Sequence, residues 1–294
     1  MIGTDVKDVL VYFFERGSTV RRFDGKPPSP LPRKRDPGMR GKGEGGMIMK
    51  DKLFEQSNPF GKEGFVFDAR VSNVFDDMVS RSVPGYGTIQ LLISDLAVRF
   101  AQQGVVYDLG CSTGNTLLNV MKRAGNKKLK LVGIDNSDAM LEKCDLKLKQ
   151  ESQNNEHDLQ LLNTDLLELT DLTHGAPSVI ILNLVLQFIT PEKRAQLINN
   201  LTRQLLPNGV IILVEKIVQE DEKMDDFFLD YFHFYKSEMG YSDLEISQKR
   251  DALMNKLIPF TTEQNVSLLK DSGLQTVTTF FQWMNFQGYL GIKS

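Results

Sequence analysis

Val105-Val106-Tyr107-Asp108-Leu109-Gly110-Cys111-Ser112-Thr113-Gly114-Asn115-Thr116 is a buried apolar run that enters a glycine turn and leaves it as a helix. Glycines in such a turn permit positive φ and let a ligand approach the backbone, while the free N–H groups of the helix start attract negative charge. Outward from this segment, short apolar runs at 105–109, 129–134, 159–162, 179–184 and 210–214 alternate with helical patterns at 115–123, 138–150 and 191–205. The alternation predicts a parallel sheet covered on both faces, a doubly wound Rossmann-like α/β fold. Upstream, Val71, Val74, Phe75, Met78 and Val79 repeat at helical spacing up to Val83-Pro84-Gly85, and a second helix spans about 88–102. Downstream, 217–258 reads as a helical insertion rich in Phe, Tyr and acids. A helix at 266–271 and strands at 277–282 and 289–292 follow it.

The 294 residues carry a formal net charge of −3, with 41% hydrophobic and 25% charged side chains. That is an ordinary globular composition, with ample chain for a core. Cys111 and Cys144 are too few for a disulfide scaffold or a zinc site, which points to a reducing, cytoplasmic setting and no metal. No apolar run nears the ~20 residues that span a bilayer. The run Val9–Phe14 is short, follows Asp5 and Asp8, and lacks a small-residue cleavage site, so no secretory signal is read. Mild acidity argues against direct nucleic-acid binding.

Those averages hide a boundary. Residues 1–46 hold ten Lys/Arg against six Asp/Glu, five of the eleven prolines and eight of the 23 glycines. Pro27-Pro28-Ser29-Pro30-Leu31-Pro32-Arg33-Lys34-Arg35 reads as extended and solvated. Met47 and Met49 open the first patterned segment. The expectation is a disordered extension over 1–46, rather than a basic arm for RNA or membrane, and a single α/β domain over 47–294 with charge −7.

Three chemistries use a glycine turn of this kind. Gly110-Cys111-Ser112-Thr113-Gly114 fits the G-x-S-x-G nucleophile elbow. An elbow needs strands and an oxyanion loop upstream and a late histidine, but here only helical patterns precede it and the last histidine is His233. A nicotinamide site needs glycines fitted to a pyrophosphate. The spacing differs here, and Asp108 would aim a carboxylate at the phosphate. S-adenosylmethionine has no phosphate, so Ser112 can stand where a glycine would, and its ammonium and sulfonium welcome Asp108. Asp135 ends the next strand and can accept both ribose hydroxyls. The third strand ends at Asn163-Thr164-Asp165-Leu166, where an acid and a backbone N–H can read the adenine edge, and the fourth ends at Asn183. In open α/β sheets ligands bind at the carboxyl ends of strands, so these four ends converge on one pocket.

Several segments carry a closer likeness: Ser82-Val83-Pro84-Gly85-Tyr86, Tyr107-Asp108-Leu109-Gly110-Cys111-Ser112, Gly133-Ile134-Asp135-Asn136-Ser137 and Leu186-Gln187-Phe188. The most specific is Gly240-Tyr241-Ser242-Asp243-Leu244-Glu245-Ile246-Ser247-Gln248-Lys249-Arg250, inside the helical insertion. With these, the chain resembles class I S-adenosylmethionine-dependent methyltransferases over about 100–294, and the carboxy-S-adenosyl-L-methionine synthase family over about 49–294. The resemblance implies that S-adenosylmethionine and prephenate give carboxy-S-adenosyl-L-methionine and phenylpyruvate. It also implies a homodimer, and a separate tRNA carboxymethyltransferase that uses the product at the wobble uridine. It assigns Gly110, Cys111 and Ser112 to the methionine end, Asp135 and Asn136 to ribose and adenine, and Asp165 with Leu166 to adenine. Tyr86, Asn183 and Arg250 complete the cofactor-binding set. Thr113-Gly114-Asn115-Thr116, Lys236-Ser237-Glu238-Met239 and Trp283-Met284 depart from the family pattern.

Carboxylation explains why an arginine is wanted. A sulfonium acidifies its methyl C–H bonds, and the deprotonated carbon can attack carbon dioxide. The site must therefore hold a carbon dioxide source and a cation for the carboxylate that forms, and guanidinium binds carboxylate bidentately. Ser242 and Glu245 read as a capping box, and Glu245 to Lys249 as a supportive i,i+4 pair. Ile246, Arg250, Leu253 and Leu257 then share one stripe, which puts Arg250 on the apolar face. Periodicity alone reads such an arginine as snorkelling or paired with a core acid; the resemblance makes Arg250 the catalytic, carboxyl-holding residue. Cys111 reads as packing, since no histidine is placed to activate it, and Tyr241 is a weaker pocket candidate. Two alternatives remain, an ordinary methyltransferase with a carboxylate acceptor and a non-catalytic cofactor-binding subunit. The mass of the reacted cofactor separates them.

Overall fold

Asp68 caps the first helix of the computed structural model, which describes residues 50–53, 55, 66–101, 104–151, 157–254 and 256–294. The expectation for 1–46 lies outside these residues. Helix α1 (Ala69–Ser82) begins where the Asp68 carboxylate accepts the Arg70 and Val71 N–H groups, and stops at Val83 ahead of Pro84. Gly85, at φ 67°, turns the chain into α2 (Tyr86–Phe100). The alternating region follows as β1 (Val105–Leu109), α3 (Asn115–Ala124), β2 (Lys130–Asp135), α4 (Asp138–Glu151), β3 (Asp158–Asn163) and β4 (Pro177–Asn183). A 3-10 turn at Leu186–Phe188, α5 (Pro191–Gln204) and β5 (Val210–Lys216) complete it. The insertion is two helices, α6 (Glu222–Glu238) and α7 (Asp243–Leu253), before α8 (Thr262–Asp271), β6 (Thr276–Trp283) and β7 (Phe286–Ile292).

Among the described residues the strands form one seven-stranded sheet, ordered β3-β2-β1-β4-β5-β7-β6. The first five are parallel, and β7 runs antiparallel to both β5 and β6. The sheet expected to be parallel thus ends in an antiparallel pair. Only Met284 and Asn285 join β6 to β7, and a parallel crossover needs roughly a dozen residues or more.

Successive side chains of a strand face opposite sides of the sheet. Val179 and Ile181 of β4 accordingly join the core beneath α2, α3 and α4, while Ile180 and Leu182 join the core beneath α5 and α8. All of β1 is buried, as its unbroken apolar run requires. With β2 on one side of β1 and β4 on the other, the strand order reverses there and opens a crevice at the carboxyl ends.

Candidate active site

The turn after β1 is held from the neighbouring strand. Gly110 N–H and Cys111 N–H both donate to the Ile134 carbonyl, at 2.7 and 3.0 Å. Gly110 (φ 73°) leaves no room for a Cβ, which would lie 2.7 Å from a Val185 methyl. Ser112 is left-handed at φ 49°, an unusual conformation for a residue with a side chain. It is fixed by its N–H, which donates 2.9 Å to Asp135 Oδ2. The other Asp135 oxygen accepts the Ser137 N–H at 3.0 Å. Burial raises the Asp135 carboxyl above its usual range despite N–H donors from Ser112, Ser137 and Asn136.

These strand ends open onto a cavity of about 420 Å³, within the roughly 300–1,000 Å³ of small-molecule sites. Tyr86, Gly110, Cys111, Ser112, Asp135, Asn136, Asp165, Leu166 and Asn183 all line it. The opposite wall comes from α1 and α7, through Met78, Val79, Ser82, Lys249 and Leu253. Asp165 makes an Asx turn, its Oδ1 accepting the Leu167 N–H at 2.8 Å. Tyr86 is half-buried with its hydroxyl accepting from Asn115 Nδ2 at 3.3 Å, and burial pushes that hydroxyl up to about 12. The Cys111 thiol faces Cys144; that hydrogen bond and burial raise it well above the usual thiol range, so it is no nucleophile.

Arg250 stands apart. It is exposed, pairs with the neighbouring Asp251 at 3.2 Å, and lines a second recess with His233, Phe234 and Asp243 instead of the main cavity. The stripe that put it on the apolar face was counted through Leu257, but α7 ends at Leu253. Glu245, Ile246 and Lys249 are the buried residues of the helix, and one residue along a helix is a rotation of about 100°. That rotation turns Lys249 inward and Arg250 outward. The capping box itself is present, the Glu245 carboxylate accepting from Ser242 N–H (2.7 Å) and Oγ (2.8 Å). Tyr241 lies behind the wall, its hydroxyl donating 2.9 Å to Asp51 Oδ2.

Sequence reading missed several contributors. Glu215 ends β5 fully buried and accepts the N–H groups of Val185, Leu186 and Gln187 at 2.8–2.9 Å. It thereby shapes the loop that forms one cavity wall, and burial pushes its carboxyl up to about 7. Asp76 of α1 accepts from Thr113 Oγ1 (2.6 Å), Asn115 Nδ2 (2.9 Å) and Lys147 Nζ (2.8 Å). The polar helix start that departs from the family pattern is therefore a latch between α1, α3 and α4.

The cavity fits S-adenosylmethionine. Asn183 Oδ1, on the cavity wall, is a buried acceptor without a hydrogen-bond partner, a costly state unless a donor arrives. An ammonium supplies such donors. Burial and the adjacent Asp135 push Asp108 up to about 8, a value an approaching cation would lower. Among the described residues no group of His, Cys, Asp or Glu gathers as a metal site.

Fold, glycine turn and acid-tipped strands together define an S-adenosylmethionine-dependent enzyme of the class I methyltransferase fold. A family model described as "Methyltransferase domain" matches residues 107–211. Among solved structures, the chain is similar to an O-methyltransferase family protein from Burkholderia thailandensis (TM-score 0.54, 19% identity, 77% of this chain). It is also similar to human N-acetylserotonin methyltransferase in complex with SAM (TM-score 0.53, 17% identity, 77% of this chain). It spans only 60% and 55% of those two chains, and the likeness is one of fold.

Full-length relatives are more specific. The carboxy-S-adenosyl-L-methionine synthase of Wolinella succinogenes is 40% identical over 83% of this chain and 99% of its own length. Those of Desulfotalea psychrophila (39%, 83% and 97%) and Methylococcus capsulatus (37%, 84% and 100%) are similar. The chain belongs to the carboxy-S-adenosyl-L-methionine synthase family, and is a transferase that uses S-adenosylmethionine.

Proposed function

We propose that the protein transfers the ring carboxyl group of prephenate to the methyl carbon of S-adenosylmethionine, releasing phenylpyruvate and water. The observation that carries this reading is the charge of the cavity. Its acids, Asp135 and Asp165, sit at strand ends, whereas its cations, Lys193 and Lys249, come from helices α5 and α7. A zwitterionic nucleoside and a dicarboxylate need that division. Prephenate also balances the chemistry. Loss of its ring carboxylate as carbon dioxide expels the ring hydroxyl, and the hydroxide takes the methyl proton as water. The methyl carbon then bonds to carbon dioxide, with an oxygen anion left for a cation to hold.

The product is suited to a tRNA carboxymethyltransferase acting at wobble uridine. The −7 balance of residues 47–294 leaves RNA to that partner. A homodimer is supported by α6, where Met224, Phe227, Tyr231 and Phe234 are exposed. The exposed Arg250, outside its own cavity, would serve a substrate carboxylate in a site that a second copy completes. Buried free thiols at Cys111 and Cys144 suit the reducing cytoplasm, and among the described residues no helix is long and apolar enough to cross a membrane.

The test is to incubate the pure protein with both compounds and follow the cofactor by mass. A product heavier by one carboxyl group is expected. S-adenosylhomocysteine would mark an ordinary methyltransferase, and unchanged cofactor a binding subunit; either would overturn the reading.

A further inference from the structure

Resting on the reading that a carboxylate-bearing second substrate enters this cavity, we propose that Lys249 is the cation that seats one of its carboxylates, with Ser82, Tyr241 and Asp51 as positioning residues. Lys249 lines the cavity from α7 while being only 6% exposed. Its neighbours along that wall, Met78, Val79 and Leu253, are apolar, so the ammonium is the feature there that can recognise charge. A buried cation is retained at a cost and is therefore expected to serve a purpose.

The ammonium is aimed by a directional chain. Lys249 Nζ donates to Ser82 Oγ at 2.8 Å, Ser82 Oγ donates to Tyr241 Oη at 3.3 Å, and Tyr241 donates to Asp51 Oδ2 at 2.9 Å. An ammonium only donates and a carboxylate only accepts, so the direction is forced. Asp51 Oδ2 lies 4.0 Å from the ammonium, close enough to balance its charge. Asp51 is in turn immobilised: its N–H donates to Asp77 Oδ2 at 2.7 Å, and its carbonyl accepts from Arg81 Nη2 at 3.1 Å. Arg81 pairs with Asp77 at 2.7 Å and stacks 4.1 Å over the Tyr241 ring. Asp51, far from the glycine turn in sequence, thus supports the Lys249 wall of the cavity from behind.

Burial lowers the Lys249 ammonium to about 8; Asp51, Asp77 and Glu245 oppose that fall, and Arg81 adds to it. Among the described residues Lys236 and Tyr241 are further titratable groups beside it. A seated carboxylate would stabilise the charged form.

The experiment compares the wild type with Lys249→Met and Lys249→Arg in prephenate kinetics and in S-adenosylhomocysteine titration. Wild-type turnover comes first; its absence refutes the reaction, not the anchor, which is then judged by titrating phenylpyruvate into protein loaded with S-adenosylhomocysteine. Lys249→Met is expected to raise KM for prephenate, or the phenylpyruvate Kd, about tenfold or more, leaving the S-adenosylhomocysteine Kd within about threefold. Lys249→Arg should recover part of the loss. Wild-type kcat/KM for prephenate should fall as pH rises through about 8, and that fall should move alkaline in the arginine variant. Should Lys249→Met not fold, Tyr241→Phe carries the test, because it unties Asp51 from the chain and should raise the same KM by a smaller factor. An unchanged KM, or an equal loss of S-adenosylhomocysteine affinity, would overturn the proposal.

Discussion

Removing the Asp76 carboxylate should loosen the α1 wall of the cavity. In Asp76→Ala three hydrogen bonds vanish together, those from Thr113 Oγ1, Asn115 Nδ2 and Lys147 Nζ. Bonds to a buried charge are worth about 1.5–3 kcal/mol each. Here the Asp76 and Lys147 side chains are 33% and 21% exposed, so solvent screens the ion pair. About 1 kcal/mol per interaction is the appropriate figure, and Lys147 keeps Asn115 Oδ1 at 2.6 Å as a partner. The sum is about 2–3 kcal/mol, which for a domain of this size lowers Tm by about 5–10 °C. Because α1 supplies Phe75, Met78, Val79 and Ser82 to the cavity, part of that energy is coupled to ligand binding. If half is expressed there, S-adenosylhomocysteine affinity falls about tenfold. Thermal melts with and without ligand, together with calorimetric titration, measure both quantities. Asp76→Asn, which keeps an acceptor for Thr113, should fall between wild type and alanine. A Tm shift below about 1 °C with unchanged affinity would refute the latch.

Gly110→Ala should abolish cofactor binding with only a modest loss of stability, since the new Cβ would lie 2.7 Å from Val185 at a φ of 73°; wild-type affinity by titration would contradict this. Burial and Asp135 push the Asp108 carboxyl up to about 8 from 3.8, which favours its protonated form at neutral pH in the free protein. Its folded value lies above the unfolded one, so its contribution to stability is complete below pH 3.8 and is lost as pH rises through about 8. S-adenosylmethionine binding at pH 7 should therefore release a proton. The calorimetric enthalpy should depend on buffer ionisation in the wild type and not in Asp108→Asn; buffer-independent wild-type enthalpies would sink the idea. Residues 47–294 form one compact unit, and deleting 1–46 should leave turnover unchanged; a folded but inactive truncation would show that those residues serve the reaction.

The strand-end half of the site was legible because its signals are local. Gly110, Asp135, Asp165 and Asn183 each lie within three residues of the end of an apolar run in a parallel strand. The α7 half failed for a geometric reason. A stripe extended past the helix end to Leu257 put Arg250 on the buried face, where the structure has Lys249, and the i,i+4 pair of Glu245 with Lys249 gave no sign that both are buried. The contacts of Asp51 with Tyr241, and of Asp76 with Lys147, join residues 190 and 71 apart. No periodicity within either segment could have brought them together. Glu215 is likewise silent in sequence, an acid at the end of an apolar strand whose partners are backbone N–H groups.

The central claim is that the carboxyl group of the product comes from the ring of prephenate. Prephenate labelled with carbon-13 at its ring carboxylate, turned over with unlabelled S-adenosylmethionine, tests it directly. A carboxylated cofactor that carries the label in its new carboxyl carbon, with unlabelled phenylpyruvate formed in equal amount, is the expected result. A carboxylated cofactor without the label, or S-adenosylhomocysteine as the sole cofactor product, would contradict it.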